Sequence, residues 1–200
     1  MKLMQNNLIS QRYLRNILLP QCQESGQEKL LNAKICVIGA GGIGSSLLFY
    51  LVAAGIGCGI NGKILLIEND QIEISNLQRQ ILYQEQDLNQ SKAEIASIRL
   101  KKLNSNLNIE IKKNFADQNF LKQNANDYQF FVDATDNFNS RFEINAFCHQ
   151  NQKILFFGAV KEFSGQIMVI KSYQDDNPCY CCFNHQLSSK NPELSISDKA

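Results

Sequence analysis

Five short apolar runs recur along the chain, and segments with helical spacing of apolar residues separate them. The runs are KICVI, KILLI, LNIEI, YQFFVDA and KILFFGA. The intervening segments predict helices over Ile43–Ala54, Ser91–Leu103, Asp117–Gln123 and Asn139–Gln150. This alternation is typical of βαβ units, so it predicts an α/β fold: a Rossmann-like, doubly wound, mostly parallel sheet with helices on both faces.

The two ends of the chain follow other patterns. Ile9–Leu18 and Glu24–Asn32 predict two short helices, and SGQIMVIKS predicts an antiparallel addition to the sheet. The last eighteen residues are polar and without period, which is typical of a truncated chain that stops in a loop. We therefore predict a single domain over residues 1–200. It comprises amino-terminal helices (1–32), a nucleotide-binding core (33–157), and an antiparallel extension with an incomplete carboxyl-terminal region (158–200).

Composition limits the partners. The chain has 200 residues, 44% of them hydrophobic, and a formal net charge of +1. Nucleic acids and anionic membranes normally require a concentrated basic surface, so neither is an expected partner. The sequence shows no secretory signal or apolar span, so we expect a soluble protein of the cytoplasm, or of an organelle stroma if the gene is organellar. Its seven cysteines then suit a reducing compartment.

The stretch AKICVIGAGGIGSS carries the first chemical signal. It places Gly39, Gly41, Gly42 and Gly44 between a strand and a helix. Glycines at this spacing allow a tight turn, a close approach of backbone to phosphate, and tight helix packing. Glu68 ends the next strand, where an acceptor for ribose hydroxyls is expected. The stretch predicts a nucleotide site, the alternative being a glycine-rich packing turn.

The next stretch, ENDQIEISNLQRQIL, argues against NAD. It places Asn76, Arg79 and Gln80 after the ribose strand, and Lys92 opens the following helix. Arg79 and Lys92 together suit a triphosphate, whose developing charge they would stabilise. The alternative for both is a surface ion pair.

The stretch VDATDNFNSR follows the fourth strand, at the edge of the sheet that carries the glycine loop. A carboxylate at this position suits Mg²⁺, which prefers one or two protein oxygens together with phosphate oxygens. Asp136 is the candidate, the alternative being a helix cap. Asp133 is the weaker candidate, the alternative being a buried acid paired with a loop amide.

Taken together, RYLRNILLP, GQEKLLNAKICVIGAGGIGS, ISNLQRQIL, SKAE, DATDNFNSR, GAVKEFSGQIMV and PCYCC resemble the HesA/MoeB/ThiF family, the bacterial relatives of ubiquitin-activating E1 enzymes. The resemblance covers residues 12–182. It implies an adenylyltransferase that uses ATP and Mg²⁺ to activate the C-terminal glycine of a small ubiquitin-like sulfur carrier of the ThiS or MoaD type, with release of pyrophosphate.

The resemblance also implies roles for individual residues. Arg15 would reach the ATP site of a neighbouring subunit, which implies a homodimer, and Asp136 would hold Mg²⁺. The catalytic set would be Arg15, Arg79, Lys92 and Asp136. The nucleotide would be bound by Gly39, Gly41, Gly42, Gly44, Glu68, Ser75, Asn76, Leu77, Gln78, Arg79, Lys92, Asp136 and Asn137.

The chain departs from the family pattern at three places. Glu68 replaces the usual Asp, and CGING forms an insertion expected to extend a surface turn. Cys179 and Cys182 match only the first of two CxxC pairs, so Zn²⁺ is expected only in a longer form with a second pair beyond residue 200. His185 is a minor candidate for a further ligand, and Ser197 or Ile196 occupies the region of the family's transfer cysteine.

The sequence therefore predicts adenylation of a sulfur carrier in thiamine or molybdopterin biosynthesis, with a sulfur-donor protein as a further partner. Two alternatives remain open at this point. One is a catalytically impaired E1-like subunit that binds the carrier without turnover, and the other is an NAD-dependent oxidoreductase.

Overall fold

The computed structural model describes residues 11–184. A six-stranded sheet forms its centre, with the strand order β3-β2-β1-β4-β5-β6. All neighbouring strands are parallel except β5 and β6, which form an antiparallel hairpin. The strands are β1 Lys34–Ile38, β2 Lys63–Ile67, β3 Ile109–Lys112, β4 Phe130–Asp133, β5 Ile154–Lys161 and β6 Ser164–Ile170.

Seven α-helices accompany these strands in the described part of the chain. They are α1 Leu14–Ile17, α2 Gln23–Asn32, α3 Gly42–Ala53, α4 Lys92–Leu103, α5 Gln118–Asn124, α6 Phe138–Gln150 and α7 Tyr180–Phe183. The four helices predicted between strands are confirmed to within one residue at each end. The first predicted helix, Ile9–Leu18, is interrupted by a turn at Tyr13: residues 11 and 12 are helical and α1 follows, whereas residues 9 and 10 lie outside the described range.

Side chains on the strands alternate between two hydrophobic cores, one on each face of the sheet. In β1, Ile35 and Val37 face the core under α3 and α4, whereas Cys36 and Ile38 face the core under α5 and α6. Both faces are thus covered, which explains why the strands are continuous apolar runs rather than alternating ones. The predicted doubly wound fold is confirmed.

The insertion CGING forms the expected turn, and the turn packs against the end of α2. The Gly59 amide donates to the Leu31 carbonyl at 2.8 Å, and the Asn61 amide donates to Asn32 Oδ1 at 3.1 Å. A side chain at Gly62 would collide with the Leu31 carbonyl oxygen, so glycine is required there. No helix within residues 11–184 is long and apolar enough to cross a membrane.

The strand order reverses beside β1, whose two neighbours are β2 and β4. In open α/β sheets, ligands bind in the crevice beyond the carboxyl ends of the strands at such a reversal. The fold therefore places the glycine loop after β1 and the polar segments after β2 and β4 around one crevice.

Candidate nucleotide site

A cavity of about 710 Å³ occupies this crevice. Its walls come from the glycine loop, the segment after β2, the start of α4, the loop after β3, the loop after β4 and the end of β5. The sequence-predicted residues that line it are Gly39, Gly41, Gly42, Glu68, Asn76, Arg79, Lys92, Asp136 and Asn137. Polar segments that are up to about a hundred residues apart in sequence therefore meet in one place.

The glycine loop is shaped by two close approaches. Gly39 has a φ of +94°, and a Cβ there would lie 2.8 Å from the Ala134 carbonyl oxygen. A Cβ on Gly44 would collide with the Gly39 carbonyl oxygen, so this buried position requires glycine for packing, and Gly44 does not line the cavity. Gly41 and Gly42 face the cavity and leave their backbone open to a ligand at the start of α3, where the helix dipole favours phosphate.

Glu68 is buried at the bottom of the site, with 8% of its surface exposed. Its Oε2 accepts a hydrogen bond from the Ala40 amide at 2.8 Å, and its Oε1 accepts one from the Asp70 amide at 2.9 Å. The longer side chain therefore ties the glycine loop to the end of β2, a role that the sequence did not indicate. A carboxylate has about four lone-pair sites, so Glu68 can also accept from a ribose hydroxyl.

The two predicted cations differ in their surroundings. Arg79 is exposed, and its Nη1 donates to the Ser75 carbonyl at 3.0 Å. Its aliphatic part lies beside Gly42, where an added Cβ would be 3.5 Å from Arg79 Cδ. Lys92 is buried, and its Nζ lies 3.0 Å from Asp70 Oδ2. Asp70 was missed in the sequence, although it follows Glu68 by two residues and so continues on the same side of the strand end.

The segment between Arg79 and Lys92 and the turn before Arg79 contribute both a structural cap and cavity-lining side chains. Asn76 is buried and forms a reciprocal cap with Glu73, whose amide donates to Asn76 Oδ1 at 3.3 Å. Gln80 also lines the cavity, and its Oε1 is buried without a hydrogen-bond partner in the described part of the chain, as expected where a ligand donor belongs. The side chains of Ser75, Leu77 and Gln78 lie outside the cavity lining, and their nucleotide role stays a prediction.

The loop after β4 contributes a helix cap, Asn137, and a carboxylate at the cavity, Asp136. Asn137 caps α6, since its Oδ1 accepts from the Ser140 amide at 2.9 Å. The alternative role of Asp136 as that cap is therefore wrong. Asp136 is exposed at the cavity and accepts no hydrogen bond within residues 11–184, which leaves its carboxylate available.

Asp133 is buried beneath this loop. Its Oδ1 accepts from the Thr135 amide at 2.9 Å and from Thr135 Oγ1 at 2.6 Å, so the predicted pairing with a loop amide is confirmed. Burial raises the pKa of Asp133, and the Thr135 hydrogen bonds only partly offset this. Asp133 does not line the cavity.

The carboxylates at the site suit Mg²⁺ held jointly with a ligand. Within residues 11–184, no three His, Cys, Asp or Glu side chains lie close enough to hold a metal ion by themselves. Mg²⁺ at nucleotide sites usually has one or two protein carboxylates, and phosphate oxygens and waters complete its coordination. The single free carboxylate of Asp136 fits that pattern.

Arg15 lies away from the cavity, exposed on α1. The preceding Tyr13 is buried, and Asn104 Nδ2 donates to its hydroxyl at 2.8 Å. The α1 helix is thus fixed to the body of the domain, and Arg15 is not among the residues that line this chain's own site. A role for Arg15 at a nucleotide requires a second copy of the chain.

Cys179 and Cys182 lie at the other end of the described chain, with their sulfur atoms 3.4 Å apart. Hydrogen bonding from Cys181 lowers the pKa of Cys179 to about 5, against the effect of burial. The two thiols therefore lie side by side, and their role as zinc ligands stays a prediction. His185, Ile196 and Ser197 lie outside the described residues.

Comparison with known proteins agrees with this arrangement. Residues 13–198 match the profile of the ThiF family. The chain belongs to the ThiF family. A probable molybdopterin-synthase adenylyltransferase of Porphyra purpurea is 39% identical over 188 residues, which are 94% of this chain and 47% of that protein.

A second relative and a solved structure are also matched over only part of their length. The sulfur carrier protein adenylyltransferase of Thermus thermophilus is 39% identical over 175 residues, which are 86% of this chain and 62% of that protein. The crystal structure of E. coli MccB with ATP superposes with a TM-score of 0.70 at 29% identity, covering 92% of this chain and 56% of that one. The chain thus spans about half to two thirds of the length of these relatives.

Proposed function

We propose that this ThiF-family chain is an ATP-dependent adenylyltransferase. Its substrate is the C-terminal glycine carboxylate of a small ubiquitin-like sulfur carrier, and its products are the carrier acyl-adenylate and pyrophosphate. The names of the relatives from Porphyra purpurea and Thermus thermophilus support this class of reaction.

The meeting of Glu68, Arg79, Lys92 and Asp136 around the glycine loop is the observation that carries the proposal. Glu68 and the loop suit a nucleoside and its first phosphates, whereas the two cations and the free carboxylate suit a longer phosphate chain with its metal ion. A dinucleotide needs neither the buried lysine nor the free aspartate. ATP therefore fits this cavity better than NAD.

The chemistry needs positioning rather than a general base. A terminal carboxylate is already ionised at neutral pH, so it can attack the α-phosphorus of ATP directly, and the bond from that phosphorus to the pyrophosphate oxygen breaks. Arg79 and Lys92 would stabilise the charge that develops on the phosphates, and the backbone of Gly41 and Gly42 would hold the chain of phosphates in line. This explains why the described lining contains Arg, Lys and Asp but no nucleophilic dyad.

Asp136 would hold Mg²⁺ at the phosphates, and the ion when bound would neutralise charge on the departing pyrophosphate. Lys92 would keep its ammonium in place through Asp70, so that its position is set before the nucleotide binds. The roles of Ser75, Asn76, Leu77, Gln78 and Asn137 belong to the same proposal.

The proposed assembly is a homodimer in which Arg15 of each chain reaches the site of the other. The carrier and a sulfur-donor protein are the other proposed partners, in thiamine or molybdopterin biosynthesis. Cys179 and Cys182 would bind Zn²⁺ only where a second CxxC pair follows residue 200. The proposed compartment is the cytoplasm or an organelle stroma.

Exchange of labelled pyrophosphate into ATP tests the proposal. ThiS-type and MoaD-type carriers are assayed separately, each beside a control carrier that lacks its terminal glycine. We expect exchange with one intact carrier and none with either truncated carrier. Calorimetric titration accompanies the assay: ATP with Mg²⁺ should bind more tightly than NAD, and tighter binding of NAD would contradict the proposal.

A catalytically impaired E1-like subunit that binds the carrier without turnover is the second candidate function. This candidate predicts that the chain binds the carrier and ATP but supports no exchange. Carrier binding measured by calorimetry on the same samples separates the two functions.

A further inference from the structure

Thr135, the residue before Asp136, is held from two sides. Its amide and hydroxyl both donate to Asp133 Oδ1, at 2.9 and 2.6 Å. Its carbonyl accepts from Arg141 Nη2 at 2.8 Å. Asp133 ends β4 and Arg141 lies in α6, so both partners belong to regular elements. The peptide that joins Thr135 to Asp136 is thus fixed between the sheet and a helix.

The guanidinium of Arg141 is itself fixed by aromatic rings. It lies 5.4 Å from the ring centroid of Phe138 and 5.3 Å from that of Phe157. Such stacking depends on the planar, delocalised guanidinium, which a lysine ammonium does not reproduce. Arg141 also lines the cavity, but its hydrogen bond goes to the Thr135 carbonyl. Arg141 therefore restrains the backbone of the loop after β4 through this hydrogen bond.

Tyr180 continues this network toward the cysteines. Its ring lies 4.8 Å from Phe157, the ring on which Arg141 also stacks, and 5.5 Å from Phe142, centroid to centroid. Its amide donates to Asn145 Oδ1 at 2.9 Å. Since Tyr180 lies between Cys179 and Cys182, the cysteine segment packs against Phe157, and Phe157 in turn contacts the arginine that holds the loop.

We propose that Arg141 is a positioning residue for Asp136, and that Tyr180 couples the segment 179–182 to the nucleotide site through it. The hydrogen bond from Arg141 to Thr135 sets the direction in which the Asp136 carboxylate meets the metal ion. A change in the cysteine segment moves Tyr180, then Arg141, then the loop. The metal-binding part of this inference rests on the proposed function, whereas the restraint on the loop does not.

The test compares Arg141→Lys and Tyr180→Leu with the parent chain, since leucine removes the ring that contacts Phe157. Arg99→Lys is the matched control, because Arg99 is also partly buried and donates to a backbone carbonyl, that of Leu82, at 2.9 Å. Two properties are measured: hydrogen–deuterium exchange of the amides of residues 134–137, and the Mg²⁺ concentration that half-saturates the enhancement of ATP binding. Circular dichroism confirms that each variant is folded.

Arg141→Lys should speed amide exchange in the loop and raise the half-saturating Mg²⁺ concentration about tenfold, the usual effect of removing a group that orients a metal ligand. ATP binding without Mg²⁺ should stay within about twofold of the parent value, because Glu68 and the glycine loop are unchanged. Tyr180→Leu should shift both properties in the same direction by a smaller factor, and Arg99→Lys should shift neither. A purely structural role of Arg141 would lower thermal stability without a selective change in the Mg²⁺ requirement.

The two claims fail in different ways. Unchanged hydrogen–deuterium exchange of the amides of residues 134–137 in Arg141→Lys would overturn the positioning role. An unchanged half-saturating Mg²⁺ concentration would overturn it as well. Unchanged amide exchange of the loop in Tyr180→Leu would overturn the coupling to the cysteine segment. If Mg²⁺ does not change the ATP affinity of the parent chain, the proposed function would be overturned instead. The hydrogen–deuterium exchange of residues 134–137 alone would then decide whether Arg141 restrains the loop.

Discussion

The Glu68 carboxylate accepts a hydrogen bond from the Ala40 amide at 2.8 Å, and this contact joins the end of β2 to the glycine loop. The same carboxylate holds the Asp70 amide through its other oxygen. The acidic residue expected at the ribose therefore also shapes the loop that binds the phosphates.

Glu68→Asp should weaken both the fold and the site. The shorter side chain cannot reach both amides, and a buried amide left unpaired costs about 1–3 kcal/mol in the free energy of unfolding. Chemical denaturation measures this loss, and calorimetry should show weaker ATP binding. Glu28→Asp, at an exposed position on α2, is the control. Equal stability of Glu68→Asp and the parent chain would show that the contact to Ala40 is dispensable.

The sequence predicts well those parts of the site that depend on local pattern. The apolar run KICVI followed by closely spaced glycines can be little else than a strand, a tight turn and a helix, and Gly39 and Gly44 have the close contacts that such a turn requires. The acid at Glu68 follows from the position of the next strand end.

Other parts depend on contacts between distant residues and carry no local signal. Lys92 pairs with Asp70 across 22 positions, and the Tyr83 hydroxyl donates to the Ala40 carbonyl across 43. The contact between Arg141 and Thr135 spans only six positions, but it depends on how α6 packs against Phe157. The choice between Asp136 and Asn137 as the cap also required the structure, because either side chain can cap a helix.

Lys92→Ala should lower the rate of carrier-dependent pyrophosphate exchange by about a hundredfold, since it removes a preorganised charge at the phosphates. Asp70→Asn should cause a smaller loss, because Lys92 keeps its charge but loses the ion pair that fixes it.

Lys63→Ala is the matched control for Lys92. Lys63 also pairs with a carboxylate, that of Glu110, but it begins β2 at the opposite end of the strand. A similar loss of exchange in Lys63→Ala would attribute the effect to stability rather than to the phosphates.

Asp133 predicts a specific dependence of stability on pH. Burial raises its pKa in the folded chain above that in the unfolded chain, so the folded state binds more protons between the two values. Its contribution to stability therefore decreases as the pH rises from the unfolded-state pKa through the folded-state pKa, and the loss persists at neutral pH.

Asp133→Asn should remove that decrease, since the amide cannot ionise while its oxygen still accepts from Thr135. Urea denaturation of the parent and variant from pH 3.5 to pH 7, a range chosen on the ordinary carboxyl pKa of about 4, measures the difference. A variant whose stability falls with pH as steeply as the parent's would assign the dependence to other groups.

Arg15 and Arg79 should complement each other in a mixed dimer. An Arg15→Ala chain keeps its own cavity, and an Arg79→Ala chain keeps its own Arg15, so mixing them should restore one competent site for each mixed dimer. The two chains carry different affinity tags, so that mixed dimers can be isolated before exchange is measured. Isolated mixed dimers without activity would contradict action of Arg15 between subunits.

The most direct measurement is pyrophosphate exchange by Asp136→Ala in the presence of the carrier. If Asp136 holds the Mg²⁺ at the phosphates, exchange should fall on the order of a hundredfold or more, with little change in ATP binding through Glu68 and the glycine loop. Asp175→Ala, at an exposed position outside the cavity lining, should exchange as the parent does. An Asp136→Ala chain that is folded by circular dichroism and keeps the parent's exchange rate would contradict the account.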